Sequence, residues 1–216
     1  MNKTKMIFVR HGQSEANLAG IFIGHINSPL TELGHRQAEL TAEFLRDEHI
    51  DAFYGSDLIR AYETGLCIAK RHNKGVIPDK NLREIFAGDW EGKKFSELPG
   101  LYEKTYGVWL SDIGHAHPDG GESVSELYER IIGEVRKIAR ENVGKTVLIA
   151  THATPIRCIV CLLKGGIDPI NMKDVPWVHN ASVTEADFYE DGSVAPIIID
   201  KFDFMGEMAT ALPKNV

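Results

Sequence analysis

The segment FVRHGQSEAN, residues 8–17, starts as a buried strand and then changes character. The run MIFV, residues 6–9, has the branched and aromatic side chains of a short buried strand. Arg10 and His11 come directly after this run, although a buried strand has no need of an arginine or a histidine. Gly12, which follows them, permits a close approach of the backbone. The end of this strand is therefore the first candidate for a functional site.

Downstream of this strand, segments typical of strands and of helices alternate. Further apolar strands are predicted at 51–56 and 145–150, and helices at 30–48, 57–72, 122–141 and 154–166. A hairpin that turns at Asp191-Gly192 is predicted over 181–202. Because strands that alternate with helices pair in parallel, the sequence predicts an α/β fold with a mostly parallel central sheet and helices on both faces, an α/β/α sandwich.

Two of the predicted helices carry start signals. Thr31 can cap the helix at 30–48. The apolar face of that helix is expected to include Leu40, Thr41, Phe44 and Leu45. Ser123 and Glu126 have the spacing of a capping box at the start of the helix at 122–141. Apolar residues recur there at steps of three and four, at Val124, Leu127, Ile131, Val135 and Ile138.

The composition is that of a single globular domain spanning residues 1–216. The chain is 43% apolar and 25% charged, and no apolar run approaches the roughly 20 residues of a membrane helix. The N-terminus runs into the first strand without a cleavage site, and the three cysteines are too few for a disulfide framework, so we expect a cytoplasmic protein. The net charge of -7 argues against binding to nucleic acid or to an anionic membrane.

The irregular stretch from about 84 to 120 interrupts the alternation, and we interpret it as a lid or an inserted segment. It contains the pair His115-x-His117, a candidate for metal binding. That pair lies in a Gly/Pro-rich loop, which favours solvated loop residues. Cys158 and Cys161 form a C-x-x-C in an apolar helical stretch without a second ligand pair, which favours core packing over a metal or redox site. No metal site is predicted.

Arginines and histidines follow three of the predicted strands at the points where those strands end. Arg10 and His11 end the first strand, His152 follows the third apolar strand, and Arg60 lies in the first turn of the helix after the second. Ligands of open parallel sheets bind beyond the carboxyl ends of the strands, so these four side chains can converge. Four basic groups placed together would repel one another unless an anion is bound among them, and guanidinium groups match the oxygens of a phosphoryl group. The sequence therefore predicts a phosphate pocket in which a neutral imidazole can act as nucleophile.

A nucleophilic attack on phosphorus also needs an acid that protonates the departing oxygen. The segment LREIFAGDWEG, residues 82–92, offers Glu84 and Glu91 on the irregular stretch expected over the strand ends. The residues alone leave both candidates open.

The segment RHGQSEAN resembles the signature of the histidine phosphatase superfamily, which includes phosphoglycerate mutases and many phosphomonoesterases. The resemblance continues in the family's order through FIGHINSPLTELGHRQA, GSDLIRAYETG, LREIFAGDWEG, DGGESVSELYERI and THATPIR, and covers about residues 5 to 190. It implies a phosphoglycerate mutase-like fold.

The resemblance also implies a role for each matching residue. It implies that His11 is phosphorylated during catalysis and that Glu84 is the proton donor, which leaves Glu91 an accessory or structural role. The phosphate pocket that it implies comprises Arg10, Arg60 and His152; our hypothesis for the first step is that His152 is protonated while it holds the phosphoryl oxygens. The substrate-binding residues that it implies are Asn17, Ser14, Gly24 and Ala153, where Ala153 replaces the usual glycine.

Several positions depart from the mutases of this family. Those mutases carry threonine where this chain has Ile23 and tryptophan where it has His25. They also carry two arginines after a tryptophan of the inserted segment, where Leu110-Ser111 follows Trp109 here. Without that paired charge, a carboxylate of the substrate loses a strong bidentate contact, which favours hydrolysis over phosphoryl exchange.

The expected function is therefore a metal-independent phosphomonoesterase that uses a phosphohistidine intermediate and no cofactor. Its partners would be a small phosphorylated metabolite, inorganic phosphate as product, and a second copy in a homodimer. Two alternatives stay open: a phosphoglycerate mutase, and a non-catalytic module that binds a phosphorylated ligand.

Overall fold

A computed structural model describes residues 2–165 and 169–212 of the chain. The strands are β1 (Lys3–Arg10), β2 (Ala52–Gly55), β3 (Ile77–Pro78), β4 (Thr146–Thr151), β5 (Val183–Tyr189) and β6 (Val194–Lys201). The helices are α1 (Glu15–Ala19), α2 (Glu32–Phe44), α3 (Ile59–Arg71), α4 (Leu98–Leu101), α5 (Glu103–Ser111), α6 (Val124–Glu141) and α7 (Ala153–Leu163). The predicted helix end at residue 166 and the tail residues 213–216 lie outside the described residues.

The six strands of the described ranges form one sheet in the order β3-β2-β4-β1-β5-β6. β1, β2, β3 and β4 are parallel, whereas β5 is antiparallel to both of its neighbours. The register pairs Arg10 at the end of β1 with Thr151 at the end of β4. The carboxyl ends of β1, β2 and β4 therefore meet at one edge, and the predicted mostly parallel α/β/α fold is confirmed.

Alternate side chains of β1 pack on opposite faces of the sheet. Met6 and Phe8 belong to the core that contains residues of α6 and α7, while Ile7 and Val9 belong to the core that contains residues of α2 and α3. All four side chains are 0% exposed. Each buried side chain of this size contributes about 1.5–3 kcal/mol relative to exposure. The continuous apolar run is explained by burial on both faces.

The helix starts follow the sequence signals, but one helix face differs from the prediction. Ser123 and Glu126 form a reciprocal capping box at the start of α6, and the Thr31 hydroxyl accepts from the backbone of Gly34 at the start of α2. The prediction of Phe44 on the buried face of α2 is wrong, because its side chain is 38% exposed. It stacks instead on Phe204 of the C-terminal segment, with ring centroids 4.3 Å apart. The buried face of α2 is built from Gly34, Gln37, Ala38, Thr41 and Ala42.

The inserted segment 84–120 packs into the same core as α6 rather than standing apart. Trp90, Tyr106 and Trp109 are nearly completely buried in the cluster that also contains Met6 of β1. The predicted hairpin is confirmed as β5 and β6, with Gly192 at a φ of +87° in the turn. Whether the inserted segment moves as a lid stays a prediction.

The loop after β1 touches the first turn of α2 so closely that neither side has room for a side chain. A Cβ added at Gly12 would lie 2.3 Å from the carbonyl oxygen of Gly34, and one added at Gly34 would lie 2.0 Å from that of Gln13. The close approach that we expected at Gly12 is therefore an approach to α2.

The substitution Gly12→Ala is expected to lower the free energy of unfolding by about 2–4 kcal/mol, because two backbones must separate to admit one methyl group. Urea denaturation of both proteins measures the difference. The matched control is Gly133→Ala within α6, where an added Cβ meets nothing and helix propensity favours alanine. A Gly12→Ala protein as stable as the wild type would contradict this account.

Candidate active site

The ends of three parallel strands bring four basic side chains into one buried group. Arg10, His11, Arg60 and His152 are all less than a tenth exposed. The imidazole rings of His11 and His152 lie with centroids 5.2 Å apart and an interplanar angle of 63°. The backbone N–H of His11 donates to the carbonyl of Thr151 at 2.9 Å, which ties the end of β1 to the end of β4. The predicted convergence of the four side chains is therefore observed.

The imidazole of His11 is held in one tautomer. Its Nδ1 lies 2.7 Å from the carbonyl oxygen of Gly12, and since a carbonyl only accepts, Nδ1 carries the proton. Burial, followed by the positive charges of Arg60 and Arg10, lowers the pKa of His11 well below its ordinary value. The ring is therefore neutral at physiological pH, and Nε2 keeps its lone pair.

Both arginines hold their charge without a carboxylate partner within 4 Å among the described residues. Arg10 donates from Nη1 to the carbonyl of Val178 at 2.5 Å, and its buried Nε has no acceptor in that part of the chain. Arg60 donates to the carbonyls of Ile26 at 3.0 Å and Gly24 at 2.8 Å. Burial lowers the pKa of each guanidinium to about 10, so both stay protonated at neutral pH. Two buried positive charges of this kind form a site for an anion.

His152 lies against His11 and is completely buried. Burial, and then the charge of Arg60, lowers the pKa of His152 well below its ordinary value, and its protonation beside a bound phosphoryl group stays a prediction. Its Nε2 lies 2.8 Å from the hydroxyl of Ser56, which also accepts from the N–H of Leu58. The hydroxyl can then donate its own hydrogen to Nε2, which places the imidazole proton on Nδ1. That buried Nδ1 has no partner among the described residues.

Glu84 lies at the cleft with its carboxyl group fixed by backbone donors. Oε1 accepts from the N–H of Ile85 at 2.9 Å, and Oε2 lies 3.4 Å from the N–H of Thr154 in the first turn of α7. The backbone carbonyl of Glu84 accepts from His25 Nε2 at 2.9 Å and from Arg130 Nη2 at 3.2 Å. The position of this carboxyl group is therefore set by several segments at once.

Arg130 of α6 holds the loop that carries Glu84, and the sequence did not indicate this role. Its guanidinium forms a bidentate pair with Glu122, at 2.8 and 2.7 Å, and also donates to the carbonyls of Asn81 and Arg83. Arg83 in turn forms a bidentate pair with Asp57, with both bonds at 2.6 Å. The loop that carries Glu84 is thereby tied to α6 and to the end of β2. The helical periodicity of α6 predicts its apolar face and gives no signal for this contact.

Of the four residues expected to bind substrate, three line the cleft and one does not. Asn17, Gly24 and Ala153 are lining residues. Ser14 is 0% exposed and caps α1, where its Oγ accepts from the N–H of Asn17 and its own N–H donates to Asn17 Oδ1. Ser14 therefore orients Asn17 and is not part of the cleft wall.

Glu91 likewise lies outside the cleft wall. Its carboxylate accepts from the backbone N–H groups of His25 at 2.7 Å and Ile26 at 3.1 Å. It thus fixes the loop that presents Gly24, at a φ of +20°, to Arg60. This is the structural role that the resemblance implied.

The remaining cleft wall includes residues that the sequence did not indicate. Asn180 donates to the carbonyl of His11 at 3.1 Å and accepts from the hydroxyl of Thr210 at 3.0 Å. The described part of the C-terminal segment, residues 202–212, packs against α2, since Gln37 of α2 donates to the carbonyl of Met208 at 2.7 Å. The full lining comprises Arg10, His11, Gln13, Asn17, Ile21, Phe22, Ile23, Gly24, Arg60, Glu84, Phe95, Trp109, Ala153, Thr154, Trp177, Asn180, Thr210 and Ala211.

Within the described residues, no group of three or more His, Cys, Asp or Glu side chains is arranged to hold a metal ion. His115 pairs with Asp112 at 2.8 Å, and His117 lies 3.1 Å from the carbonyl of Gly121.

Cys158 is 0% exposed, and burial raises the pKa of its thiol. None of the helices in the described ranges has the length and apolar character needed to cross a membrane.

The two buried histidines are expected to make stability fall in mild acid. Their folded pKa values lie below the unfolded value of about 6.5, so the unfolded chain takes up protons first as the pH falls. The free energy of unfolding should therefore drop by about 1.4 kcal/mol for each histidine between about pH 7.5 and 5.5.

Urea denaturation at the two pH values measures this drop, which should be smaller for the double variant His11→Gln, His152→Gln than for the wild type. The control His49→Gln changes an 88% exposed side chain and should keep the wild-type drop. Equal drops in all three proteins would contradict the argument.

The chain resembles known proteins over most of its length. The sequence model described as "Histidine phosphatase superfamily (branch 1)" matches residues 6–198. The chain is 35% identical to "Phosphoserine phosphatase 1" of Hydrogenobacter thermophilus, over 74% of this chain and 76% of that protein. It is 32% identical to "Metal-independent phosphoserine phosphatase" of Arabidopsis thaliana, over 81% and 79%. The solved structure of "Bacillus stearothermophilus YhfR" superposes with a TM-score of 0.88 at 26% identity, over 94% of this chain and 99% of that one.

Proposed function

The chain belongs to the histidine phosphatase superfamily, and from this premise we propose that it hydrolyses a small phosphate monoester, without a metal ion, through a phosphohistidine. One observation carries the proposal: a neutral imidazole, with the lone pair of Nε2 available, is buried beside two arginines that no carboxylate within 4 Å neutralises in the described chain. Relatives named as phosphoserine phosphatases, one of them metal-independent, support the same function.

In the proposed first step, His11 Nε2 attacks phosphorus. The N–P bond forms as the ester P–O bond breaks, and Glu84 gives its proton to the departing alkoxide. Arg10 and Arg60 neutralise the charge on the phosphoryl oxygens, which is the contribution that a metal ion makes in other phosphatases. Asn17 and the first turn of α7 supply further donors at the cleft wall.

In the proposed second step, water replaces the imidazole on phosphorus. Glu84, now a carboxylate, takes a proton from the water as its oxygen bonds to phosphorus, and the N–P bond breaks with its electron pair returning to His11 Nε2. Inorganic phosphate leaves, and the enzyme is restored with Glu84 protonated. His152 packs against His11, with ring centroids 5.2 Å apart, outside the lining of the cleft, so its proposed role is to support the phosphate pocket from beside His11.

Hydrolysis is favoured over phosphoryl exchange by the residues around the cleft. Ile23 and Trp109 line it, but Leu110 and Ser111, which occupy the positions of the mutases' paired arginines, are absent from its lining. His25, at the position of a mutase tryptophan, donates to the backbone of Glu84. The described cleft therefore offers no second pair of cations with which to hold and return a phosphoglycerate.

The test is a panel of phosphate monoesters assayed for released inorganic phosphate, with and without a chelator. We expect turnover of at least one ester, at a rate that the chelator does not change. Exchange between the 2 and 3 positions of phosphoglycerate, stimulated by a bisphosphorylated primer, would instead establish a mutase. Binding of phosphate esters without turnover of any of them would establish a binding module and contradict the proposal.

A further inference from the structure

The lining of the cleft falls into two groups, the basic side chains around His11 and an apolar aromatic wall. From this division, and on the basis of the proposed phosphatase activity, we infer that the preferred substrate is the phosphate ester of an uncharged alcohol that carries an apolar or aromatic ring. The inference separates this chain from relatives that are named for phosphoserine, whose amine and carboxylate are charged.

The apolar wall is made of side chains from five separate segments. Two phenylalanines, two tryptophans, two isoleucines and an alanine contribute to it: Ile21, Phe22, Ile23, Phe95, Trp109, Trp177 and Ala211. Phe22 packs against Phe95 and Trp109, with ring centroids 5.4 and 5.3 Å apart. A wall of this composition favours binding of apolar surface over charged groups.

Trp177 is held in place by a buried arginine that the mechanism does not use. The Cζ of Arg157 lies 4.1 Å from the centroid of the Trp177 ring. Arg157 is 4% exposed, and it donates to the carbonyl of Val175 at 3.1 and 2.7 Å and to that of Met172 at 3.1 Å. The ring centroid of Trp109 lies 6.2 Å from that of Trp177. Because these rings are fixed before a ligand binds, a planar apolar group can pack on them with little loss of side-chain entropy.

The cationic side chains among the described lining residues are Arg10 and Arg60, the two that would hold the phosphoryl group. Both reach the edge of the wall, since Arg10 donates to the carbonyl of Val178, next to Trp177, and Arg60 to the carbonyl of Gly24, next to Ile23. Glu84 is the acidic side chain of the same lining. With both arginines engaged by the phosphoryl group, a substrate carboxylate on the aromatic wall would be desolvated with no further cationic lining side chain in the described residues to pair with it, which disfavours binding.

The direct test compares four phosphate esters of primary alcohols on the wild-type enzyme. Benzyl phosphate carries a ring, ethyl phosphate lacks one, L-phosphoserine is charged, and its N-acetyl methylamide is uncharged with the same leaving oxygen. We expect kcat/KM for benzyl phosphate to exceed that for L-phosphoserine by about tenfold or more. The uncharged derivative should also be a better substrate than L-phosphoserine itself.

Variants then locate the preference on the wall. Trp177→Ala should lower the ratio of kcat/KM between benzyl and ethyl phosphate by about tenfold, since that ratio cancels effects on the chemical step. Leu110→Ala is the matched control on α5, because Leu110 follows Trp109 but is 50% exposed and outside the cleft lining. An unchanged ratio in folded Trp177→Ala would overturn the assignment of the wall. If that variant does not fold, the wild-type comparison decides.

The outcomes separate the inference from the function beneath it. Turnover of L-phosphoserine at least as efficient as that of benzyl phosphate would overturn the inferred substrate class and leave the phosphatase in place. Failure of every ester to release phosphate would overturn the proposed phosphatase itself.

Discussion

Replacement of His11 by alanine is expected to lower kcat/KM for every phosphate ester by about 10⁴-fold or more, because the variant has no atom that can accept the phosphoryl group. The two arginines and His152 remain, so the variant should still bind phosphate. Fluorescence or calorimetric titration with inorganic phosphate checks that the pocket is intact.

A trapping experiment makes this prediction specific to the proposed chemistry. Brief reaction of the wild type with a ³²P-labelled ester, followed by denaturation, should leave label on the protein that is stable in base and labile in acid. His11→Ala should carry no such label. The matched control is His49→Ala, because that side chain is 88% exposed and is not among the residues that line the cleft; it should be active and labelled. Full activity of the His11→Ala variant, or labelling equal to that of the wild type, would contradict the proposed phosphohistidine mechanism.

The fold class and the meeting of the site residues at one sheet edge could be predicted from a small number of residues. A strand that is apolar on both faces requires cover on both sides, so Met6 to Val9 already indicates a sandwich. Once the strands are parallel, their carboxyl ends share an edge, and Arg10, His11 and His152 must approach one another. These conclusions rest on local pattern and on geometry that all parallel sheets share.

Other features could not be predicted because they depend on contacts between distant segments. The hydrogen bonds of Arg130 to the carbonyls of Asn81 and Arg83, and the salt bridge of Arg83 to Asp57, join separate segments whose spacing carries no periodic signal. The stacking of Phe44 on the C-terminal segment is of the same kind. The lowered pKa of His152 depends on its complete burial and on the charge of Arg60, which no local pattern reveals. Sequence reasoning therefore indicated the proposed reacting groups better than the residues that hold them.

The roles of the two carboxylates are distinguished by their partners. Glu84 lines the cleft, while Glu91 accepts from the backbone of the loop that presents Gly24. Substitution of the residue that acts as the acid should lower kcat/KM most for substrates with a poor leaving group. Substitution of a supporting residue should lower kcat/KM by the same factor for all substrates. Substrates that differ in leaving group therefore separate the two.

The substitution Glu84→Gln is expected to lower kcat/KM for an alkyl phosphate by about 10²–10⁴-fold, because glutamine cannot protonate the departing alkoxide. For 4-nitrophenyl phosphate, whose leaving group needs no proton, the loss should be about tenfold or less. Steady-state rates for the two esters give both values, and kcat/KM is the right measure because it reports the first chemical step. With the aryl ester, phosphohistidine should accumulate, since the second step lacks its base.

The control for this prediction is Glu91→Gln, which keeps one carbonyl oxygen to accept from the backbone of His25. Any loss in that variant should be the same for the alkyl and the aryl ester, because a shifted loop weakens substrate binding without regard to the leaving group. Equal slowing of both esters by Glu84→Gln would assign the acid to another group. Selective slowing by Glu91→Gln would assign it to Glu91, and the supporting role of that carboxylate would then have to be abandoned.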